Sequence, residues 1–321
     1  MRRYPITQIT SKSIILSTNT TGGPLLNGFM NESFACYMNV VFQMIVNMPG
    51  LKEYFLSGQF LVDSSAADAD EGLLCDHFAT LFRTYHFFKD KVLDPIDLKK
   101  FISEKCSMYN LDTQEDAHEF ILYVINTLSE ELNKASFASP TLKPKKTNLR
   151  GYRNQRTPVI LSKSLFQSAE CASLKVWKDE MQKCCSICTD LLMGQVMSEV
   201  ECRTCKNSNR IFQVYYVLEL PLPDKDEVTL HECLKEFSQE EIIPLDQAWK
   251  CEKCNQVREA IKRSTILRLP KILMIHFKRY VYKGNKFVRR KCIVDLSLQG
   301  ESIPMHSGTK KEYLPFSVIV G

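Results

Sequence analysis

Apolar side chains recur at spacings of three and four along one stretch of the chain: Ala117, Phe120, Ile121, Val124, Ile125, Leu128 and Leu132. That period lays a single stripe on a helix with 3.6 residues per turn, so a helix with one buried face is expected over 114–132. Thr113 with Asp116 has the form of a capping box at its start. Residues 36–48 are mostly apolar and are stopped by Pro49-Gly50, a helix with a clear end signal. Two further helices are expected at about 72–89 and 95–107. From about residue 190 the pattern changes to short strand-like runs, such as 214–220 and 272–282, separated by turn-forming and charged pieces. A helical first half and a strand-rich second half read as α+β. No repeat of 20–50 residues is visible, which argues against solenoids and propellers.

Residues 1–24 are polar, rich in Ser and Thr, and close on Gly22-Gly23-Pro24, so they read as a leader ahead of a domain over 25–321. Within that domain 134–169 reads as an insertion between a helical part (25–133) and a strand-rich part (170–321). It holds Pro140, Pro144 and Pro158 and eight of the Lys and Arg residues, with no Asp or Glu. The net charge of +5 therefore belongs to this segment, and the rest of the chain is net negative. Its aromatics, Phe137, Tyr152 and Phe166, are too widely spaced for a base-stacking platform, so the insertion reads as a solvated loop and nucleic-acid binding is not expected.

With 321 residues, 44% hydrophobic and 25% charged, the chain has the composition of a folded globular protein. The longest apolar stretch, 40–48, falls short of the ~20 residues that span a bilayer, so no membrane association is expected. Only Ile14-Ile15-Leu16 follows the basic N-terminal tip, far less than a signal-peptide core, and the expected location is intracellular, in cytoplasm or nucleus. Thirteen cysteines in a reducing compartment call for metal ligation or a reactive thiol rather than disulfides.

Cys202-Arg-Thr-Cys205 and Cys251-Glu-Lys-Cys254 are two C-x-x-C knuckles 45 residues apart. Each can present two sulfurs about 2.3 Å from one tetrahedral Zn²⁺. The separation puts them on different hairpins that the ion would staple, a structural role. Cys184, Cys185 and Cys188 form a further local group without a fourth partner and read as ordinary thiols. Cys36 stands at the expected N-terminus of the helix over 36–48, where unpaired N–H groups and the helix dipole stabilise a thiolate. By periodicity alone a cysteine on an apolar helix is more often a small core residue.

The string Gly28-Phe29-Met30-Asn31-Glu32-Ser33-Phe34-Ala35-Cys36-Tyr37-Met38-Asn39-Val40-Val41-Phe42-Gln43 resembles the cysteine box of the ubiquitin-specific proteases, G-L-x-N-x-G-N-T-C-Y-M-N-S-x-L-Q. Gln114-Glu115-Asp116-Ala117-His118-Glu119-Phe120 is similar to that family's Q-Q-D-A-H-E-F signature. Leu269-Pro270-Lys271-Ile272-Leu273-Met274-Ile275-His276-Phe277-Lys278-Arg279-Tyr280 is similar to its L-P-x-x-L-x-x-H-L-K-R-F strand. The knuckles fall between the second and third matches, as they do in the family. The resemblance implies a papain-like cysteine protease fold with a helical thumb, a β-rich palm and zinc-stapled fingers. It implies ubiquitin and ubiquitinated proteins as partners, Cys36 as the nucleophile and Asn31 as an oxyanion-hole donor. Gln114, Asp116 and Glu119 would bind the LRLRGG tail, the two carboxylates pairing with its arginines.

Ser33, Phe34 and Ala35 depart from the family's residues ahead of the cysteine; glycine allows conformations there that serine enters at a cost. Residues 312–321 resemble the strand leading to the family's histidine box. The G-H-Y segment with the catalytic histidine, and the Asp or Asn that orients it, have no counterpart in these 321 residues. His77, His86, His118, His231, His276 and His306 read as core, surface or hydrogen-bonding residues. Two functions are therefore expected in competition: thiol-dependent hydrolysis after the C-terminal glycine of ubiquitin, and ubiquitin binding without hydrolysis.

Overall fold

In this computed structural model the described residues are 27–31, 34–64, 73–88, 90–135, 159–161, 169–283, 286–296, 301–304 and 310–313. The leader and nearly all of the basic insertion lie outside them. In chain order the elements are β1 (Gly28–Phe29), α1 (Cys36–Val46), α2 (Leu51–Leu56), α3 (Phe60–Asp63), α4 (Leu74–Phe87), β2 (Val92–Leu93), α5 (Ile96–Lys105), α6 (Ala117–Glu131), β3 (Val159–Leu161), α7 (Ala169–Lys183) and α8 (Ile187–Leu192). Then come β4 (Gly194–Cys202), β5 (Ser208–Tyr215), β6 (Val217–Pro221), β7 (Glu227–Thr229), α9 (Leu230–Ser238), β8 (Glu241–Ile243), β9 (Lys250–Cys251), β10 (Gln256–Val257) and β11 (Ala260–Arg268). The last are β12 (Met274–Lys278), β13 (Tyr280–Lys283), β14 (Lys286–Arg289), β15 (Ile293–Asp295), β16 (Glu301–Pro304) and β17 (Lys310–Tyr313). Helices dominate the chain up to Leu192 and strands dominate after it, the α+β arrangement expected.

The described residues divide into two compact units, one made of those within 27–135 and 183–191, the other of those within 159–182 and 192–313. The first unit is helical. Its core is aromatic: Phe42 meets Phe78 and Phe120 edge-on, Tyr37 meets Phe120 at 5.3 Å, and Phe55 stacks on Phe82 at 4.8 Å. Such pairs add to area burial through their quadrupoles. Asn27 is fully buried yet satisfied: its amide donates to the Tyr85 and Phe88 carbonyls at the end of α4 and accepts from Lys91 N–H. This side chain fixes where β1 meets β2 in their parallel pairing, Gly28 opposite Val92. At the far end of α6, Asn133 donates to the Lys183 carbonyl and accepts from Cys185 N–H, tying residues 183–185 to the helix. Cys184 and Cys188 are packed there as buried thiols, Cys184 against the Ser129 carbonyl.

In the second unit an antiparallel sheet runs in the order β3-β5-β4-β11-β8. Gly194 and Tyr215 are register partners, and the tyrosine ring lies where any side chain at 194 would sit. Helix α7 adds Ala172 and Val176 to Met197 and Phe212 of the sheet. A second core gathers Leu218, Leu220, Val228, Leu234 and Ile266. Among the described residues no helix is long and apolar enough to cross a membrane.

Candidate active site and metal centre

Cys36 is the first residue of α1, half-buried, and follows Ala35, which offers the helix no side-chain cap. The first turn of α1 carries no acid, so nothing within it offsets the positive end of the helix dipole at the thiol. The segment ahead of it is held by the backbone. Met30 N–H donates to the Leu93 carbonyl at 2.8 Å, and Phe34 N–H to the Leu111 carbonyl at 3.2 Å. Asn39, one turn along α1 from the cysteine and buried, donates from Nδ2 to the Met30 carbonyl (3.1 Å) and to Asn31 Oδ1 (3.2 Å). Lys99 of α5, only 3% exposed, donates from Nζ to the same Met30 carbonyl at 3.1 Å. Phe34 is 58% exposed.

Gln114, Asp116 and Glu119 are all exposed at the start of α6. Asp116 is the N-cap: its Oδ1 accepts from His118 N–H at 2.6 Å and Glu119 N–H at 3.3 Å. The expected Thr113 capping box does not form, because Thr113 turns its hydroxyl to Asn110 and Glu115. The two sequence signatures are joined directly. Phe34 N–H reaches Leu111, Tyr37 Oη donates to the Asn110 carbonyl at 3.2 Å, and the Tyr37 ring packs on Phe120. Burial and the nearby Glu115 push the Tyr37 phenol well up, so it stays a neutral donor.

The histidines of the first unit have other attachments. His77 stacks on Phe101 at 4.2 Å, and His86 Nε2 lies 3.0 Å from the Val46 carbonyl, where burial lowers its pKa. His306 lies outside the described residues. Asn39, inside the cysteine-box string, and Lys99, between Leu98 and Ile102 on α5, carry no local signal of this role, because the Met30 carbonyl that joins them is supplied by the fold.

In the second unit the sulfurs of Cys202, Cys205, Cys251 and Cys254 all lie within 4.8 Å of one another, Cys205 and Cys251 at 3.6 Å. Four thiolates about 2.3 Å from a tetrahedral ion stand about 3.8 Å apart, so the cluster fits a metal of zinc's size and preference. The knuckles share one backbone form. Lys206 N–H donates to the Cys202 carbonyl and Asn255 N–H to the Cys251 carbonyl, with φ of 57° and 54° at the two donors. That left-handed residue folds each pair of sulfurs back toward a common point. Burial opposes ionisation of Cys202. The backbone N–H groups of Cys205 and Thr204, with the neighbouring thiols, outweigh it and bring the pKa to about 6. Strand β11 pairs with β4 from Ala260 opposite Cys202, which brings the second knuckle's hairpin, β9 with β10, to the first knuckle. The third signature falls mainly on β12, parallel to β6 with Met274 opposite Val217.

Residues 27–315 match the family model described as ubiquitin carboxyl-terminal hydrolase. Among curated proteins the chain is 28% identical over 283 residues to "Ubiquitin carboxyl-terminal hydrolase 4" of Vanderwaltozyma polyspora, covering 84% of this chain and 31% of that protein. It is 27% identical over 265 residues to "Ubiquitin carboxyl-terminal hydrolase 2" of Bos taurus, covering 82% and 41%. It thus spans about a third of the length of the first curated relatives it matches. Among solved structures it is similar to the SAGA Ubp8/Sgf11/Sus1/Sgf73 DUB module bound to ubiquitin aldehyde, with TM-score 0.59 and 18% identity over 88% of this chain and 53% of that one. That likeness concerns the fold, an α+β papain-like cysteine protease domain. Matched by the family model over nearly all its length, with cysteine box and acidic helix start hydrogen-bonded to each other, the chain belongs to the ubiquitin carboxyl-terminal hydrolase family.

Proposed function

We propose that the chain binds ubiquitin, free or conjugated to proteins inside the cell, and that Cys36 cleaves the peptide or isopeptide bond after its C-terminal glycine. The observation that carries this reading is the half-buried thiol on the uncapped, acid-free end of an 11-residue helix, with Asn31 in the segment ahead of it and its amide oxygen accepting from Asn39, one turn along that helix. The sulfur bonds to the glycine carbonyl carbon, and the carbonyl π pair moves to oxygen, where Asn31 Nδ2 donates to it. Collapse expels the amine, which carries away the proton that the thiol gave up, and water then hydrolyses the thioester, giving the carboxylate of ubiquitin and restoring the thiol. The exposed carboxylates of Asp116 and Glu119, with Gln114, receive the basic tail. The four cysteines of the second unit hold a structural Zn²⁺.

Exposed Phe34, two residues ahead of the thiol, favours a second reading in which the same surface binds ubiquitin without hydrolysis. Calorimetric titration of the Cys36→Ala chain with ubiquitin, followed by assay of the unmodified chain on a ubiquitin C-terminal amide, separates the two. Binding with Cys36-dependent turnover supports the enzyme, and binding without turnover supports the second reading. No binding sinks both. Glu119→Arg should weaken binding about tenfold through lost pairing with the tail arginines.

A further inference from the structure

A lysine is rarely buried without a task, because removing an ammonium from water costs several kcal/mol before any partner compensates. Lys99 is 3% exposed, and one of its tasks is visible: its Nζ and Asn39 Nδ2 both donate to the Met30 carbonyl, whose oxygen can accept two hydrogen bonds. The other hydrogen of Asn39 Nδ2 goes to Asn31 Oδ1. One side chain on α1 and one on α5 thus grip the Met30–Asn31 peptide and the Asn31 amide together. Because the oxygen and nitrogen of an amide lie on opposite branches, anchoring Oδ1 on Asn39 turns Asn31 Nδ2 away from it. An exposed asparagine without that anchor would present oxygen or nitrogen to an approaching oxyanion, and oxygen there repels.

We infer that Lys99 and Asn39 are positioning residues that lock the loop before Cys36 so that Asn31 presents its N–H₂ group to the developing oxyanion. This rests on the reading of Asn31 given under Proposed function, and it assigns to two further residues the orientation that reading requires. The grip acts on oxyanion stabilisation, not on the thiol.

Two ubiquitin derivatives separate those effects. With a C-terminal aldehyde, the Cys36 sulfur adds to the carbonyl carbon and the π pair moves to oxygen, which takes the thiol's proton; the reversible hemithioacetal draws on the oxyanion donor. With a C-terminal bromoethylamide, the sulfur displaces bromide at a saturated carbon and no oxyanion forms. Asn39→Asp keeps the shape but replaces the donor by an acceptor, and should weaken aldehyde affinity about a hundredfold, the scale of losing one oxyanion donor. Lys99→Met keeps the length and loses the donor and charge, with about tenfold loss expected; Lys99→Arg should recover most of it. Alkylation by the bromoethylamide should stay within about twofold for every variant. Equal losses with both reagents, or none with the aldehyde, overturn the inference, and having two variants on different helices guards against one that misfolds. Asn31→Ala identifies which reading fails. If it leaves aldehyde affinity unchanged, or if the unmodified chain reacts with neither reagent, the role of Asn31 falls and this inference with it. If only Lys99 and Asn39 variants are without effect, this inference alone falls.

Discussion

Glu131, the last residue of α6, gives a pH dependence whose sign can be worked out in advance. Its carboxylate oxygens accept from Leu74 N–H at 2.9 Å and Cys75 N–H at 2.8 Å, the open first turn of α4, whose own N-cap Leu73 has no side-chain acceptor. Burial raises the carboxyl pKa, against those two hydrogen bonds, from 4.5 to about 7. Between these values the unfolded chain has released its proton while the folded chain keeps it, so stability falls as pH rises through the window and is level on either side. Each tenfold difference in proton affinity is worth about 1.4 kcal/mol, which sets a ceiling of about 3 kcal/mol. Glu131 is still partly exposed, and solvent screening reduces the expected fall to about 1–2 kcal/mol. Glu131→Gln is neutral throughout and isolates the contribution. Urea unfolding of both proteins from pH 4 to pH 8 should give a stability difference that moves against the glutamate by that amount between about 4.5 and 7. A difference moving in favour of the glutamate would show that attraction to the α4 dipole outweighs burial and would refute the reasoning.

Two further perturbations test the second unit. A methyl at Gly194 would lie 2.3 Å from Tyr215 Cζ, so Gly194→Ala must displace a ring that is 8% exposed, at a cost of about 1–3 kcal/mol in urea unfolding. Adding Tyr215→Leu should restore part of the loss, and a neutral single variant would contradict the packing. Cys254→Ser should lower bound zinc from about one equivalent per chain to near zero, with hydrogen exchange rising in 203–207 and 250–257; metal-free, fully protected wild-type protein would sink the zinc assignment.

Much of this was legible in the chain because it depends on local periodicity. The stripe on α6, the stop at Pro49-Gly50 after α1 and the two knuckles are set by residues a few positions apart. What the sequence hid depends on partners brought from far away. The cap of α4 is a glutamate 57 residues on, and the carbonyl that meets Lys99 is 69 residues back. The run over 214–220 is broken after Tyr215 because β5 pairs with β4 while β6 pairs in parallel with β12. Similarly, 272–282 is divided at Arg279, whose carbonyl accepts from Arg290 N–H and whose guanidinium donates to the Cys292 carbonyl. Hydropathy is continuous across the first break, and at the second the charged pair Lys278-Arg279 does not by itself say that the strands on either side take different partners.

The central claim is that Cys36 is a nucleophile addressed by the tail of ubiquitin. Its most direct test is to incubate the folded, zinc-loaded chain with ubiquitin carrying a C-terminal electrophile and to locate the adduct by peptide mass spectrometry, with Cys36→Ala as control. The account predicts one adduct, on Cys36, absent from the variant. Labelling spread over other cysteines, or no labelling of folded protein, would contradict it.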